Sequence, residues 1–534
     1  MLKSATAARG EGSAFLSREA IVAPPTFNRW LVPPAALAIH LSIGMAYGFS
    51  VFWLPMGRLV PGGGACRGGV WAEMTATACN WTVPSVTHVF ETFIAVLGLS
   101  AAVFGGWVER AGPRASGLAA AVCWGGGLMV AALGVHIHQL WVVFLGAGLI
   151  GGVGQGLGYI TPVSTLIRWF PDRRGMATGF AIMGYGGGAM IGSPLAVWMM
   201  AKFAAGGAPG VAGALGALGV IYLAAMSLGA LGFRVPATAL EAPQARTPGR
   251  LITDRDVDVS RAWRTPQFWL LWGVLCANVT AGIAVIAMAS PMLQDVFGGR
   301  LLGLSPGAKP DAAQKAQIAA AAAGLVGLIS LFNSLGRLFW ASLSDRLGRK
   351  GTYVVVFVLG MALYALLPTL AHAGLAVAFI AAVCVIVTMY GGGFACLPAY
   401  VADLFGTRFV GAIHGRVITA WSVAGVVGPA LIAALRQGQL DRGVPKAQIY
   451  DGALYLMVGL LFVGLVCNLL VRPVRETAYM PRAAPAGAPA APGGAATEPA
   501  RGSLGLAGVL AWTAVGAPFA VGLLIALQKA AALF

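Results

Sequence analysis

Three ionisable side chains stand inside long apolar stretches of this sequence: His40, Glu91 and Arg337. Arg337 is the deepest. In NSLGRLFWASLSDRLGRK (333–350) it precedes Asp345 by eight residues, roughly 12 Å of helix, and its neighbours are Leu, Phe, Trp, Ala and Gly. A guanidinium in hydrocarbon is costly, so it must face a bundle interior or a water-filled cavity and find a partner there. No carboxylate is well placed at its depth, unless Glu91 reaches it through a bend. Glu91 begins its run near the outer face, where it could instead stay hydrated. A permanent cation without a protein counter-ion calls for a mobile one, and a guanidinium holds a carboxylate through two parallel charge-assisted hydrogen bonds. The alternative is that Arg337 bridges backbone carbonyls or packs on a helix end and touches no ligand.

The elements that carry these residues follow from composition. Of 534 residues, 58% are hydrophobic and 10% charged, with mean hydropathy +0.80. Soluble domains carry about 25% charged residues, so a chain this long and apolar reads as an all-α polytopic membrane protein. Apolar runs long enough to cross about 30 Å of hydrocarbon occur near 31–53, 86–108, 115–134, 140–162, 176–200, 211–233, 268–291, 317–342, 352–371, 374–400, 411–435, 449–471 and 504–528. The first is long and lacks an evident cleavage site, so it reads as a retained span.

The net charge of +17 would suggest nucleic acid in a soluble protein. Here most of the 35 Lys and Arg fall on alternate loops, the pattern of cytoplasmic loops under bacterial insertion rules. The charge is therefore topology, with no nucleic-acid partner expected. The reading places the protein in a bacterial inner membrane, with the N-terminus cytoplasmic and, after the thirteenth span, the C-terminus periplasmic.

An internal repeat divides the chain. FGGWVERAGPR (104–114) leaves the second span and WASLSDRLGRK (340–350) the eighth. Glu109 and Asp345, Pro162 and Pro398, Gly179 and Gly415 hold one sequence offset, and Pro194 and Pro429 hold it within a residue. The implied plan is a cytoplasmic segment 1–30, a six-helix half 31–233, an inter-half loop 234–265, a second half 266–471, an Ala/Pro-rich linker 472–503 and an extra helix 504–534. Two homologous halves with a central interface are common among secondary transporters.

The acidic–Arg–x–Gly–x–Arg turn after the second span (ERAGPR) and its counterpart after the eighth, which ends in Lys (DRLGRK), resemble those of the major facilitator superfamily. More narrowly, GYITPVSTLIRWFPDRRGMATGFAIMGYGGGAMIGSPLA (158–196) and RTPQFWLLWGVLCANVTAG (264–282) are similar to the oxalate/formate antiporter family, a resemblance covering roughly residues 30–475. It implies a major facilitator fold of two six-helix bundles, here with a thirteenth helix resembling the single-span small subunits of some such carriers. It also implies that Arg337 binds a substrate carboxylate, and that Tyr47, Tyr159 and Tyr185 match tyrosines walling the family's cavity. Glu109, Arg110 and Arg114, with Asp345, Arg346 and Arg349, would form charge latches between helices at the cytoplasmic face.

One departure bears on substrate. The oxalate carrier's second cation, a Lys on helix 11, is matched by Trp421 in HGRVITAWSVAGVVGP. A dianion facing Arg337 alone would leave a buried charge unpaired at a cost of several kcal/mol, so a monocarboxylate such as formate, acetate or lactate is favoured over oxalate. A protonated His40 would restore the second charge. Tyr390 and Phe394 lie near the family's helix 10 aromatic pair without matching its register. Asn278 could donate to substrate or to a neighbouring helix.

The remaining signals are structural. GGVGQGLGY (151–159) and GYGGGAMIG (184–192) lie inside spans, where small residues let helices approach, unlike a phosphate loop between strand and helix. Cys66 and Cys79 share the first outer loop, where an oxidising periplasm would let them pair. The other five cysteines lie in apolar runs without CxxC spacing, so neither metal nor cofactor is expected. The six His show no HExxH spacing, and no enzyme is expected. The sequence thus predicts a small organic-anion carrier, an exchanger above a proton symporter because no deep carboxylate carries a proton. Glu91 or His40 could titrate, and an efflux pump for larger hydrophobic compounds is the other alternative. A monomer is expected.

Overall fold

The structure is a computed structural model describing residues 15–24, 26–237, 251–298, 311–445, 448–481 and 504–531. Residues 1–14 of the N-terminal segment, 238–250 of the inter-half loop and 482–503 of the linker lie outside the described residues. Among those described, twelve helices are long and apolar enough to cross a bilayer. One of them, Val83–His136, has 54 residues and breaks at Gly112, so it supplies two crossings.

The thirteen spans are α1 (Arg29–Met56), α2 (83–111), α3 (113–136), α4 (Leu140–Trp169), α5 (Arg174–Phe203), α6 (Val211–Gly232), α7 (Pro266–Met292), α8 (Ala312–Leu347), α9 (Arg349–Ala373), α10 (Ala376–Phe405), α11 (Val410–Asp441), α12 (Asp451–Leu470) and α13 (Gly505–Ala531). Helices α1–α6 pack together, as do α7–α12. The groups meet chiefly where α5 lies on α8 and where α2 lies on α11.

The turns between α2 and α3 and between α8 and α9 explain their shared motif. Gly112 (φ 84°) and Gly348 (φ 78°) end the two acidic turns in a conformation that side chains with a Cβ resist. Three helices depart from regular geometry near the centre. Residues Gly44–Phe52 of α1 tighten to a 3₁₀ helix, Phe144–Ile150 of α4 widen to a π turn, and α11 breaks between Val417 and Thr419. The glycine runs serve packing: a methyl group at Gly188 would strike the α1 backbone at Gly44, 2.6 Å away, and one at Gly156 the Leu97 carbonyl at 2.6 Å.

Cys66 and Cys79 are joined in a disulfide, with Cα atoms 5.0 Å apart. The backbone of Cys66 donates to the Asn80 carbonyl, and the Asn80 side chain pins Val60 and Gly63. The loop between α1 and α2 is thus closed on itself.

Candidate functional site

Arg337 is fully buried where α8 faces α5 and α10. Its Nε donates to Asn333 Oδ1 (3.3 Å), Nη1 to the Ile182 carbonyl (3.3 Å) and Nη2 to the Tyr47 hydroxyl (3.4 Å). All three contacts are long and to neutral groups, and among the described residues it forms no ion pair. Its guanidinium lies 5.4 Å from the Phe394 ring and 5.9 Å from those of Tyr47 and Tyr185. Rings at that range stabilise a cation without neutralising it.

Around it the two halves build a cage. Tyr159 of α4 stands at its centre, with ring centroids 5.9 Å from Tyr185, 5.5 Å from Phe394 and 5.8 Å from Trp421. Trp421 of α11 packs at 4.9 Å on Phe394 and 5.4 Å on Tyr185. On the side away from the acidic turns, Tyr47 of α1 and Tyr390 of α10 share a 2.9 Å hydrogen bond that closes the cage across the halves. The Tyr159 and Tyr185 hydroxyls and the Trp421 indole N–H are buried and have no hydrogen-bond partner among the described residues. Buried donors are normally paired. Three unpaired donors beside a guanidinium that forms no ion pair among the described residues make a site suited to an anion with several acceptor lone pairs.

Arg337, Tyr47, Tyr159, Tyr185, Tyr390 and Trp421, named from sequence, are therefore brought together, and Phe394 joins them. Asn278 takes the other course open to it: its amide donates to the Tyr390 carbonyl at 3.1 Å, tying α7 to α10. Glu91 does not approach Arg337. It pairs at 2.7 Å with His88 on the same helix face, both side chains exposed, because the two sit one turn apart near the start of α2. His40 is buried with one ring nitrogen at the Ala181 carbonyl and the other at the Tyr159 carbonyl. It stacks on the Tyr159 ring at 5.5 Å, so it braces the cage wall from behind.

His414 was missed. It lies beside Tyr159, with ring centroids 5.9 Å apart, buried and with neither ring nitrogen partnered among the described residues. The only sequence signal was its position in VGAIHGRV, four residues inside α11, easily read as a helix end at the interface.

The acidic turns latch the halves differently from expectation. Asp345 accepts from the backbone N–H groups of Gly175 and Met176, both at 2.8 Å, at the N-terminus of α5. Glu109 accepts from Gly411 N–H at 2.7 Å, at the N-terminus of α11, and pairs with Arg168. Gly175 and Gly411 are equivalent in the internal repeat, so each half's acid caps a helix of the other half. Helix N-termini favour such anions through their free N–H groups and dipole. Arg349 pairs with Asp345 at 2.7 Å and with Asp403 at 3.0 Å, and Arg174 reaches Asp403 at 2.9 Å from the other half.

Three residues expected in the latches stand elsewhere. Arg114 turns to the N-terminal segment, donating to the Phe15 carbonyl at 3.0 Å and lying over the Phe15 ring. Arg110 and Arg346 are exposed, because the helical turn carrying each acid inward carries its neighbour outward. Arg168, Arg174 and Asp403 take their places. Arg168 and Arg174, between the fourth and fifth spans, were read from sequence as topology alone, and Asp403, near the end of the tenth, was not singled out.

Two six-helix halves, joined at one end and enclosing a cationic centre, are the plan of a membrane transporter rather than an enzyme. The Major Facilitator Superfamily model matches residues 64–429 and 302–531, and the chain belongs to that superfamily. It is 32% identical over 286 residues to the oxalate:formate antiporter of Oxalobacter formigenes, an alignment spanning 54% of this chain and 61% of that protein's length. It is also 28% identical over 387 residues to apicoplast pyruvate carrier 1 of Toxoplasma gondii, covering 62% and 65% of the two chains. Among solved structures, the E. coli fucose:proton symporter superposes with a TM-score of 0.56 at 12% identity, covering 82% of this chain and 99% of that one.

Proposed function

We propose that the protein is a carrier of small organic anions, with a monocarboxylate such as formate, acetate or lactate favoured, working by exchange through alternating access across a bacterial inner membrane, N-terminus cytoplasmic and C-terminus periplasmic. The observation that carries this reading is the buried Arg337 without an acidic partner, ringed by unpaired donors from both halves. A carboxylate would take two guanidinium N–H groups and the tyrosine hydroxyls. Loaded, the cage is close to neutral; unloaded, the halves would have to change over around a bare cation. That asymmetry favours exchange, because only the loaded form reorients cheaply.

One cation matches one negative charge. Trp421 fills the position where the oxalate carrier's second cation would stand, and its ring contacts Phe394 and Tyr185. A protonated His40 would direct both N–H groups to the Ala181 and Tyr159 carbonyls, leaving none to donate to a substrate. Proton-coupled carboxylate symport is the second reading, favoured by His414, a buried titratable ring with neither nitrogen engaged among the described residues. An efflux pump for bulky compounds fits poorly with a centre filled by aromatic rings.

The test is counterflow in proteoliposomes preloaded with formate, acetate, lactate or oxalate and offered the same labelled acid. Exchange of one monocarboxylate, lost in Arg337→Gln and unaffected by an imposed pH gradient, is the expected result. Uptake driven by the gradient without internal acid would replace exchange by symport. No exchange of any acid by folded protein would return Arg337 to a packing role.

A further inference from the structure

Helix α13 lies outside the two-half plan, yet it touches both halves. Its buried positions, Gly508, Val515, Gly522 and Ala526, form one narrow stripe, and most other residues face outward. The stripe follows the seam between α5 and α8. Towards the latch end it is held by the first half: the Trp512 indole donates to the Trp30 carbonyl at 3.1 Å and packs 6.1 Å from the Phe180 ring, and a methyl group at Gly508 would lie 2.9 Å from Leu31. Towards the other end it meets both. Ala526 packs in one cluster with Met190 of α5 and Leu331 of α8, and a methyl group at Gly327 of α8 would lie 3.3 Å from the Ala526 carbonyl.

Midway, the helix comes up behind the arginine site. A methyl group at Gly187 would lie 2.6 Å from the Phe519 ring, while one at Gly186 would lie 2.9 Å from Arg337 Nε. Adjacent glycines of α5 therefore face α13 and the site arginine, with one backbone between Phe519 and the guanidinium.

We infer that α13 is a strap across the moving seam: fixed to the first half at the latch end, it grips α8 at the opposite end and opposes opening there, with Phe519 as a positioning residue that braces α5 behind Arg337. It is the counterpart of the acidic latches, which hold the other end shut. Opening away from the latches separates α5 from α8 and must break the Ala526 contact, while the Trp512 contacts travel with the first half. This goes beyond the anion reading and needs only the two-half mechanism.

The test has a part that needs no substrate. In the full chain with its five free cysteines replaced, spin labels at Lys202→Cys and Ala373→Cys report the separation of the halves at the ends of α5 and α9 away from the latches. Phe519→Ala should raise the longer-distance population by about threefold and Phe519→Leu should return it towards the unmodified distribution. Identical distributions in all three would overturn the strap. The second part uses a short bifunctional thiol reagent. Linking Gly327→Cys to Ala526→Cys should lower exchange by about tenfold or more, reversibly, whereas linking Leu31→Cys to Gly508→Cys should leave it within about twofold. Exchange untouched by the first link, or stopped equally by the second, would overturn the assignment. Should no acid be exchanged by any form, the anion reading fails and the distance measurement alone decides the strap.

Discussion

Two buried arginines of the second half, Arg337 and Arg349, sit about three turns apart along consecutive helices and are treated in opposite ways. Arg349 has Asp345 at 2.7 Å and Asp403 at 3.0 Å, with Arg174 sharing Asp403 from the first half. Arg337, more deeply buried, has an amide, a carbonyl and a phenol. Desolvating a guanidinium is costly in both places. The fold supplies two carboxylates to one and none to the other, which separates a permanent joint component from a site left to be completed by something that comes and goes.

The sharpest way to break that contrast is at Arg337. Arg337→Gln keeps a polar side chain of similar reach, and exchange should fall by at least about 100-fold, as expected for removing one partner of a buried charge pair. Thermal stability in detergent should hold or rise, since no protein carboxylate is orphaned. Asp403→Asn is the complementary break. It strips a carboxylate from Arg174 and Arg349 together and should destabilise the closed latch by about 3–5 kcal/mol, read as loss of thermal stability and as altered thiol accessibility at the latch end. If Arg337→Gln unfolded the protein while Asp403→Asn did not, the two arginines would have been assigned the wrong way round.

Smaller changes sharpen the comparison. Trp421→Lys places a second cation in the cage, and the ratio of dicarboxylate to monocarboxylate uptake should rise by about tenfold, one ion pair's worth of discrimination. An unchanged ratio would remove the one-charge argument for the substrate class. Tyr47→Phe deletes the hydroxyl that receives Arg337 Nη2 and bonds Tyr390, and should weaken apparent affinity a few-fold, about the value of one hydrogen bond. Cys66→Ser should leave exchange within about twofold and lower only thermal stability, because the loop it closes is short and remote from the cage.

How far the sequence could be read depended on which physical signal each part left in it. The spans, the two halves and the thirteenth helix were legible because hydropathy and the repeat act over tens of residues. Arg337 stood out because burial of a charge in an apolar run is rare. The aromatic partners came from resemblance, since a tyrosine at helical spacing does not reveal which face it lines. His414 and Asp403 were hidden for a different reason: each lies near a helix end, where polar residues are common, and only the crossing of α11 and α10 over the other half makes them buried. Arg110 and Arg346 misled because the motif names the charges in a turn without saying which of them point inward, and Arg114 because it does not say which segment an inward charge meets.

The cross-capped helices have one further consequence. The groups that Asp345 and Glu109 grasp are main-chain amides, at Gly175 and Gly411, and a methyl group at either glycine would sit against the acid holding it, 2.8 Å from Asp345 Oδ1 or 2.6 Å from Glu109 Oε1. Half of each junction is therefore encoded by side chains that do not exist. Exhaustive substitution should find the neighbouring exposed Arg110 and Arg346 permissive, and two distant glycines, in register across the repeat, intolerant of even alanine. In such a map the closure at the latch end would show itself as a matched pair of glycine-only positions, a negative imprint of one half upon the other.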